Sequence, residues 1–187
     1  MFYVGDILWM EKENSRTDLP ANFTGCVRWF TGTKWWYNQG KWQSFLSQTD
    51  LKTQEWMPAV IWPDGRKIWY DKGLFQSFLS QTDPTTPEGE GEWMPAYIYS
   101  DGTKIWYDKG WRQSFLSQTD PVTQEWMPAV IYPSGTKIWY DKGLEQSFQN
   151  PRTKEWMPAI IWSDGTKEWH DKGNYIEDPE KYFKNRG

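Results

Sequence analysis

Two residues of this sequence carry side chains that could act as a nucleophile or as a general base, and each occurs once. His170, the only histidine, stands where otherwise similar segments have tyrosine, and Cys26, the only cysteine, stands where they have alanine. Nucleophilic catalysis needs a base that can be tied to the nucleophile, and the sequence assigns no such partner to Cys26. We therefore interpret His170 as a structural aromatic residue and Cys26 as a small packed residue, and we expect no catalytic residues and no enzymatic activity.

Acidic residues recur at two positions, and both positions belong to turns. One precedes a glycine directly and the other precedes a Lys-Gly pair, and Ser134 shows that the first position does not need a carboxylate. A calcium site needs several oxygen ligands from alternating positions of one loop, which neither pattern supplies. We predict no metal ion and no cofactor. The residues concerned are Asp64, Asp101 and Asp164 at the first position and Asp71, Asp108, Asp141 and Asp171 at the second.

Tryptophan supplies the candidate ligand chemistry of this chain, because a flat indole can stack on a sugar ring or on a quaternary ammonium. There are 16 tryptophans in 187 residues. The competing interpretation, which we favour, is that most of these indoles form the hydrophobic core, since leucine and valine are scarce. The candidate ligand-binding residues are Trp56, Trp93, Trp126, Trp156, Trp62 and Trp162.

These tryptophans recur because a block of about thirty residues is repeated along the chain. Four clear copies begin with EWMPA, and a degenerate copy without this start precedes them. A fixed period of this length predicts an array in which each unit packs on its neighbours. The predicted division of this single repeat domain is an N-terminal half-repeat cap (1–21), five repeats (22–54, 55–91, 92–124, 125–154 and 155–173) and a C-terminal cap (174–187).

Each repeat is predicted to be a β-hairpin, because β-branched and aromatic residues flank a Pro-Asp-Gly or Ser-Asp-Gly turn. If Asp64 and Gly65 form a two-residue turn, which we favour, Trp62 pairs with Lys67. That register separates an aliphatic face from a face of Trp and Lys. If Pro63 joins the turn, the register shifts and the faces are reassigned. A second turn at 71–73 and a third short strand at 76–80 complete the unit.

The connectors between hairpins share the phrase QSFLSQTD, which is replaced by QSFQNPRT before the last repeat. Recent duplication explains this identity, and a shared function is the alternative. Near the C-terminus, Asp178 and Pro179 match the capping and first positions of a helix, so a short terminal helix is predicted. We expect Tyr182 and Phe183 of this helix to cover the last sheet edge.

Composition excludes several classes of partner. The chain is 37% hydrophobic and has a net charge of −4 without a cluster of basic residues, so no nucleic-acid partner is expected. No run of apolar residues approaches the length of a membrane span, so we predict no integral membrane segment. With one cysteine and no N-terminal leader pattern, a cytoplasmic location is predicted.

The hairpin block also resembles a known family. The segment PAVIWPDGRKIWYDKG, from Pro58 to Gly73, and the DLPA at Asp18 are similar to the variant of the membrane occupation and recognition nexus (MORN) repeat found in tandem in bacterial and large DNA virus proteins. The resemblance implies an elongated, twisted antiparallel β-array that acts in protein or lipid association without catalysis. The connectors here are longer than those of the family, which leaves a closed five-unit ring resembling a small β-propeller as an alternative.

The sequence therefore predicts an all-β fold, an open twisted meander of tandem antiparallel hairpins with a short C-terminal helix. The predicted function is a non-catalytic scaffold that associates with a protein or lipid partner through an aromatic-rich β surface. The alternative function is a multivalent carbohydrate- or choline-binding module with one Trp-lined site in each repeat.

Overall fold

The structure is a computed structural model that describes residues 2–4, 7–10, 19–49, 56–79, 93–117, 119 and 125–184 of the chain. The described residues form short β-strands and one α-helix, and the chain divides into two compact units, Met1–Ser100 and Asp101–Gly187. The predicted all-β fold is confirmed.

The first unit contains one sheet with the strand order β1-β2-β3-β4-β8-β9-β12, to which β5 is added by pairing with β4. Two small sheets, β6-β7 and β10-β11, accompany it. The strands of this unit are β1 (Phe2–Val4), β2 (Ile7–Met10), β3 (Gly25–Trp29), β4 (Lys34–Asn38), β5 (Lys41–Trp42), β6 (Phe45–Thr49), β7 (Trp56–Met57), β8 (Val60–Ile61), β9 (Lys67–Ile68), β10 (Tyr70–Asp71), β11 (Leu74–Phe75) and β12 (Tyr97–Ile98).

The second unit repeats the same plan. Its main strands follow the order β13-β16-β17-β20-β21-β22, and β14-β15 and β18-β19 form two small sheets. The elements of this unit are β13 (Lys104–Ile105), β14 (Tyr107–Asp108), β15 (Trp111–Arg112), β16 (Val130–Ile131), β17 (Lys137–Ile138), β18 (Tyr140–Asp141), β19 (Leu144–Glu145), β20 (Ile160–Ile161), β21 (Lys167–Asp171), β22 (Asn174–Ile176) and α1 (Pro179–Lys184).

Hairpins of successive repeats lie side by side in one open sheet within each unit. The antiparallel pairs β4-β8 and β9-β12 join repeats in the first unit, and β17-β20 does so in the second. A propeller would place each repeat in a separate sheet around a central axis. The predicted open array of antiparallel hairpins is therefore confirmed, and the alternative of a closed ring is wrong for both units. At the N-terminus, β2 pairs with β3 in a parallel orientation, unlike the repeats.

The hairpin turn has three residues, so the favoured two-residue register is wrong and its alternative is correct. Ile61 pairs with Lys67, and the amide of Trp62 donates a hydrogen bond of 3.0 Å to the carbonyl of Arg66. A two-residue turn would need the N–H of Pro63 for its closing pair, and proline has none. The last turn residue, Gly65, has a φ of +91°, as the bulge of a three-residue loop requires.

This register buries both faces of the hairpin. Val60 and Ile68 are partners across the strands and pack in one buried cluster. Ala59 belongs to the same cluster and is 0% exposed, and Trp69, the chain neighbour of Ile68, is 1% exposed. The predicted division into an aliphatic face and a face of Trp and Lys is therefore wrong. The prediction that the indoles form the core is confirmed for the fully buried tryptophans, which include Trp29, Trp69, Trp106 and Trp139.

The second turn of each repeat is a two-residue turn of type I′. In the first unit, Asp71 pairs with Leu74, and the two turn residues Lys72 and Gly73 both have positive φ, +50° and +86°. The predicted turn at 71–73 is confirmed, but the third strand lies at Leu74–Phe75 and ends before the predicted range 76–80, so its predicted position is wrong. The same geometry recurs at Gln39–Gly40, Lys109–Gly110, Lys142–Gly143 and Lys172–Gly173.

We predict that Lys142→Asn raises the free energy of unfolding by about 0.5 kcal/mol. Lys142 has a φ of +48°, a region that costs an ordinary residue about 1–2 kcal/mol and that asparagine populates more readily. Urea denaturation followed by tryptophan fluorescence measures the change. Lys167→Asn is the control, because this lysine lies in β21, where asparagine should bring no gain. Equal effects of the two substitutions would refute the turn argument.

A glutamine and a serine at the start of three connectors attach one repeat to the next. In the first unit, Ser44 Oγ accepts a hydrogen bond of 3.0 Å from the amide of Tyr70, and Gln43 Oε1 accepts one of 2.9 Å from the amide of Lys72. We call this pair the Gln–Ser clamp. It recurs in the second unit at Gln113–Ser114 and at Gln146–Ser147. The recurrence of Gln and Ser in the connectors thus has a structural reason in addition to duplication.

The predicted C-terminal helix is present as α1. The side chain of Asp178 caps it by accepting a hydrogen bond of 3.0 Å from the amide of Lys181. Phe183 is buried and stacks on the indole of Trp156, with the ring centroids 4.0 Å apart. The hydroxyl of Tyr182 donates to the Asp171 carboxylate at 2.7 Å. These contacts attach the helix to Trp156 and to β21, and the covering of the last sheet edge by Tyr182 and Phe183 stays a prediction. This short helix is the only one in the described chain, and no described helix could span a membrane.

Candidate functional site

Cys26 lies in β3 and is half-buried. Burial raises the pKa of its thiol to about 11, although the charges of Lys34 and Arg28 act in the opposite direction. The thiol is therefore protonated at neutral pH, and a protonated thiol is a poor nucleophile. This geometry fits the interpretation of Cys26 as a packed residue.

The raised pKa predicts slow alkylation of Cys26. At pH 8, a pKa of about 11 rather than 9.0 lowers the thiolate fraction by about a hundredfold. We expect iodoacetamide to react about a hundredfold more slowly with the folded chain than with the same chain in urea, as followed by mass spectrometry. The difference should shrink as pH rises toward 11. A rate in the folded chain equal to that in urea would contradict the burial of this thiol.

His170 lies among polar groups that differ from those of a catalytic triad. Its Nε2 is 3.3 Å from a carboxylate oxygen of Glu168, and its Nδ1 is buried without a hydrogen-bond partner. The nearby hydroxyl of Ser147 accepts a hydrogen bond from the backbone amide of His170 and not from its ring. A triad needs a hydrogen bond between the hydroxyl and the imidazole. Within the described residues, no group of three or more His, Cys, Asp or Glu side chains is placed to hold a metal ion.

Three of the candidate tryptophans, Trp93, Trp126 and Trp156, each form a β-bridge with the preceding connector, but their side chains have different neighbours. The indole N–H of Trp126 donates a hydrogen bond of 2.7 Å to the carbonyl of Gln149. Trp156 is stacked on Phe183, as described above. Trp93 is half-buried and forms a β-bridge with Leu79. The fourth member of this set, Trp56, lies in β7, and its side chain is outside the described part of the structure.

The other two candidates occupy equivalent hairpin positions in different units. The guanidinium carbon of Arg66 lies 4.8 Å from the ring centroid of Trp62. Trp162 is 40% exposed, and its indole N–H donates to Glu168 at 2.7 Å. The described candidate indoles thus have individual neighbours within their own unit and do not form one shared site.

A different set of aromatic side chains forms a continuous surface in the first unit. Trp35, Val60, Ile68 and Tyr97 are successive partners across β4, β8, β9 and β12, so they lie in one row on the same face. Further rings join the two ends of this row, and successive ring centroids are 4.0–6.3 Å apart. We call this set the aromatic row, and its members, in order, are Trp35, Trp42, Tyr70, Phe75, Tyr97 and Tyr99.

The aromatic row carries no charged side chain and is partly open to solvent. Tyr70 is buried at its centre, whereas Tyr99 at one end is 37% exposed. The four remaining rings are half-buried. A surface of this kind can provide apolar contacts and ring stacking.

The second unit is charged at two of its three positions equivalent to Trp42 and Phe75, and the third holds Tyr175. The two charged positions hold Arg112 and Glu145, and both bind Tyr140: Arg112 donates to the tyrosine hydroxyl at 3.1 Å, and the hydroxyl donates to Glu145 at 3.1 Å. Burial, followed by the charge of Glu145, raises the pKa of Tyr140. This hydroxyl therefore stays protonated at neutral pH and joins the two charged side chains.

Sequence reasoning missed the aromatic row because it searched for residues that recur at the same repeat position. The row combines different positions from successive repeats, and only the three-residue turn places them on one face. A signal was present in aromatic residues that break the repeat. Tyr97 stands where four other copies have valine or isoleucine, and Trp42 and Phe75 stand where the third and fourth copies have Arg112 and Glu145.

Comparison with family models, with curated proteins and with solved structures finds no match to this chain.

Proposed function

We propose that this chain is a non-catalytic repeat scaffold that binds other proteins through the aromatic row. The observation that carries the proposal is the continuity of six uncharged rings, four of them half-buried and Tyr99 exposed, across the main sheet and the small β10-β11 sheet of the first unit. Tyrosine, tryptophan and phenylalanine are enriched at protein interfaces, where they supply a large contact area. The rings also hold one another in place, so little side-chain entropy is lost when a partner binds.

The form of the surface favours a macromolecular partner over a small molecule. Small-molecule sites are concave and enclose most of their ligand, whereas the aromatic row extends along the face of several paired strands. The resemblance to MORN repeats supports the same class of function. The row lacks the basic side chains that would attract anionic lipid headgroups, so we propose a protein rather than a lipid as the partner. A cytoplasmic location belongs to this proposal, because the single cysteine cannot form an internal disulfide.

Partner capture with two matched variants tests the proposal. Tyr99 and Tyr132 occupy the same repeat position in different units and are 37% and 38% exposed. Tyr99 stacks on Tyr97, with the centroids 4.0 Å apart, whereas the residue equivalent to Tyr97 in the second unit is Val130. We expect Tyr99→Ser to weaken specific partner capture from a lysate of the source organism about tenfold, with Tyr132→Ser close to the unmodified chain. Equal capture by both variants, with matching thermal unfolding, would refute the role of the row.

The second candidate function is a carbohydrate- or choline-binding module, and one contact favours it. The cation of Arg66 over Trp62 demonstrates that this indole face can accept a positive charge. Trp162 at the equivalent position is 40% exposed. A saturable change of tryptophan fluorescence on titration with choline or a panel of sugars, lost in Trp162→Leu, would support this function. Unchanged tryptophan fluorescence with choline and with every sugar of the panel would count against this function.

A further inference from the structure

We infer that the second unit carries a binding surface for an acidic protein segment, formed by a row of lysine and isoleucine side chains. We call this set the Lys–Ile row, and it contains no residue of the aromatic row. The inference therefore goes beyond the proposed function and does not depend on it. The members of the Lys–Ile row, in order across the sheet, are Lys104, Ile131, Lys137, Ile161 and Lys167.

The pairing of the strands places these five side chains in one line. Ile131 pairs with Lys104 on one side and with Lys137 on the other. Ile161 pairs with Lys137 and with Lys167 in the same way. Directly paired residues lie on the same face of a sheet. Because neighbouring strands are about 4.8 Å apart, successive lysines are about 9.6 Å apart and have one isoleucine between them.

The Lys–Ile row is accessible to a partner. Lys104 and Lys167 are exposed, and the three members between them are half-buried. In four of these strands the adjacent residue points away from the row, since successive side chains alternate between faces. These adjacent residues are at most 8% exposed, and they are Ile105, Val130, Ile138 and Ile160. At these paired positions the row is therefore the side that a partner can reach.

The charge of the row is complementary to an acidic partner. The row holds three lysines and no acidic residue. One carboxylate oxygen of Glu125 lies 3.9 Å from Lys137 Nζ, so the middle cation is partly balanced within the unit. Lys104 and Lys167 extend the positive charge over about 19 Å, the width of four strand spacings. Charges arranged in this way attract a partner of opposite sign and set its orientation.

The isoleucines of the row favour a protein segment over other polyanions. Half-buried Ile131 and Ile161 and the methylene stems of the lysines offer apolar contacts beside the charges. Duplex DNA carries one charge for about every 1.7 Å of its axis, far denser than one lysine for about every 9.6 Å. Anionic membranes are recognised by clusters of about 4–8 basic residues, more than the row supplies. A segment that mixes acidic and aliphatic residues matches both components of the row.

The first unit has the same alternation but presents its lysines less openly. Lys34 and Lys67 pair with Ile61 from its two sides, and Ile98 pairs with Lys67. Both lysines are half-buried, whereas the lysines at the two ends of the Lys–Ile row are exposed. This difference restricts the inference to the second unit.

Titration of the full-length chain into a fluorescently labelled acidic peptide, followed by anisotropy, tests the inference. The peptide mixes glutamate with leucine and has about twelve residues, which more than span the row at about 3.3 Å per extended residue. A second peptide has glutamine in place of glutamate. We expect saturable binding of the glutamate peptide and at least about tenfold weaker binding of the glutamine peptide. Raising the ionic strength from about 0.01 M to 0.15 M should weaken binding at least about fivefold, because the Debye length falls from about 30 Å to about 8 Å.

Two double variants with equal charge change locate the binding surface. Lys104→Gln with Lys167→Gln should weaken binding of the glutamate peptide about fivefold, as expected for the loss of two exposed ion pairs. Lys142→Gln with Lys184→Gln removes two exposed lysines of the same unit outside the row and should leave binding unchanged. Lys104→Glu with Lys167→Glu should instead bind a peptide in which lysine replaces glutamate. Matching thermal unfolding of all variants verifies that they are folded.

The possible results also separate this inference from the proposed function. Absence of saturable binding, equal affinity for the two peptides, or equal loss in both glutamine double variants would each overturn the inference. Tighter binding of duplex DNA or of phosphatidylserine vesicles than of the glutamate peptide would overturn it as well. Tyr99→Ser should leave peptide binding unchanged. If partner capture depends on Tyr99 while the glutamate peptide fails to bind, the proposed function stands and the Lys–Ile row is a solvated face.

Discussion

Gly40→Ala is expected to lower the free energy of unfolding of the first unit by about 2–5 kcal/mol. Gly40 is the second residue of a type I′ turn and has a φ of +73°, a conformation that costs an alanine about 1–2 kcal/mol. A Cβ at this position would also overlap the carbonyl oxygen of Ala21. The amide of Gly40 donates to the carbonyl of Phe23 at 2.8 Å, so the two backbone segments cannot separate without losing this bond. Overpacking of this kind adds about 1–3 kcal/mol.

Gly65→Ala is the matched control for this prediction. Gly65 also has positive φ, +91°, but a Cβ there would meet nothing within 4 Å. Its substitution should cost only the conformational term of about 1–2 kcal/mol. Urea denaturation of both variants, followed by tryptophan fluorescence, separates the free-energy cost of the backbone conformation from the cost of the steric overlap. Equal losses in the two variants would show that the contact with Ala21 does not exist in solution.

The double substitution Gln113→Ala and Ser114→Ala is expected to destabilise the second unit by about 2–4 kcal/mol. It removes one Gln–Ser clamp, whose oxygens accept hydrogen bonds from the amides of Lys142 at 2.8 Å and Tyr140 at 3.1 Å. Ser114 is 1% exposed, so the amide of Tyr140 would remain buried without an acceptor. An unsatisfied buried donor costs about 1–3 kcal/mol. The lost hydrogen bond from Gln113 Nε2 to Asp141 adds to the effect.

Hydrogen exchange locates the effect of the clamp. In the double variant, the amides of Tyr140 and Lys142 should exchange at least about tenfold faster than in the unmodified chain. Ser163→Ala is the control, because Ser163 is an exposed turn residue of the same unit. It should change stability by less than about 0.5 kcal/mol. Unchanged exchange at Tyr140 in the double variant would mean that the hydrogen bonds of the clamp do not help to hold the repeats together.

Much of the fold could be predicted from local sequence, because turns and caps are short-range features. Recurrent Asp-Gly and Lys-Gly pairs indicated the hairpins, and Asp178 before a proline indicated the terminal helix. The register of the hairpin was predicted wrongly, although the missing N–H of Pro63 was visible in the sequence. The error mattered because a shift of one residue exchanges the two faces of a strand.

The candidate site was harder to predict because it depends on neighbours from different repeats. The identical connectors gave no indication that their Gln and Ser side chains bind the next repeat, since duplication alone accounts for identity. The six candidate tryptophans were chosen by repeat position, and those that are described have unlike surroundings. The aromatic row depends on pairing between strands far apart in sequence, such as Trp35 with Val60 and Ile68 with Tyr97.

Hydroxyl-radical footprinting of the chain, alone and with its captured partner, tests the proposed binding surface most directly. Aromatic side chains react strongly with the radical, and the reaction stops where a partner covers them. We predict that the partner protects Tyr99, Phe75 and Trp42 of the aromatic row and leaves Tyr132 of the second unit as reactive as in the free chain. Protection of Tyr132 with an unchanged aromatic row would contradict the proposal that this row is the binding surface.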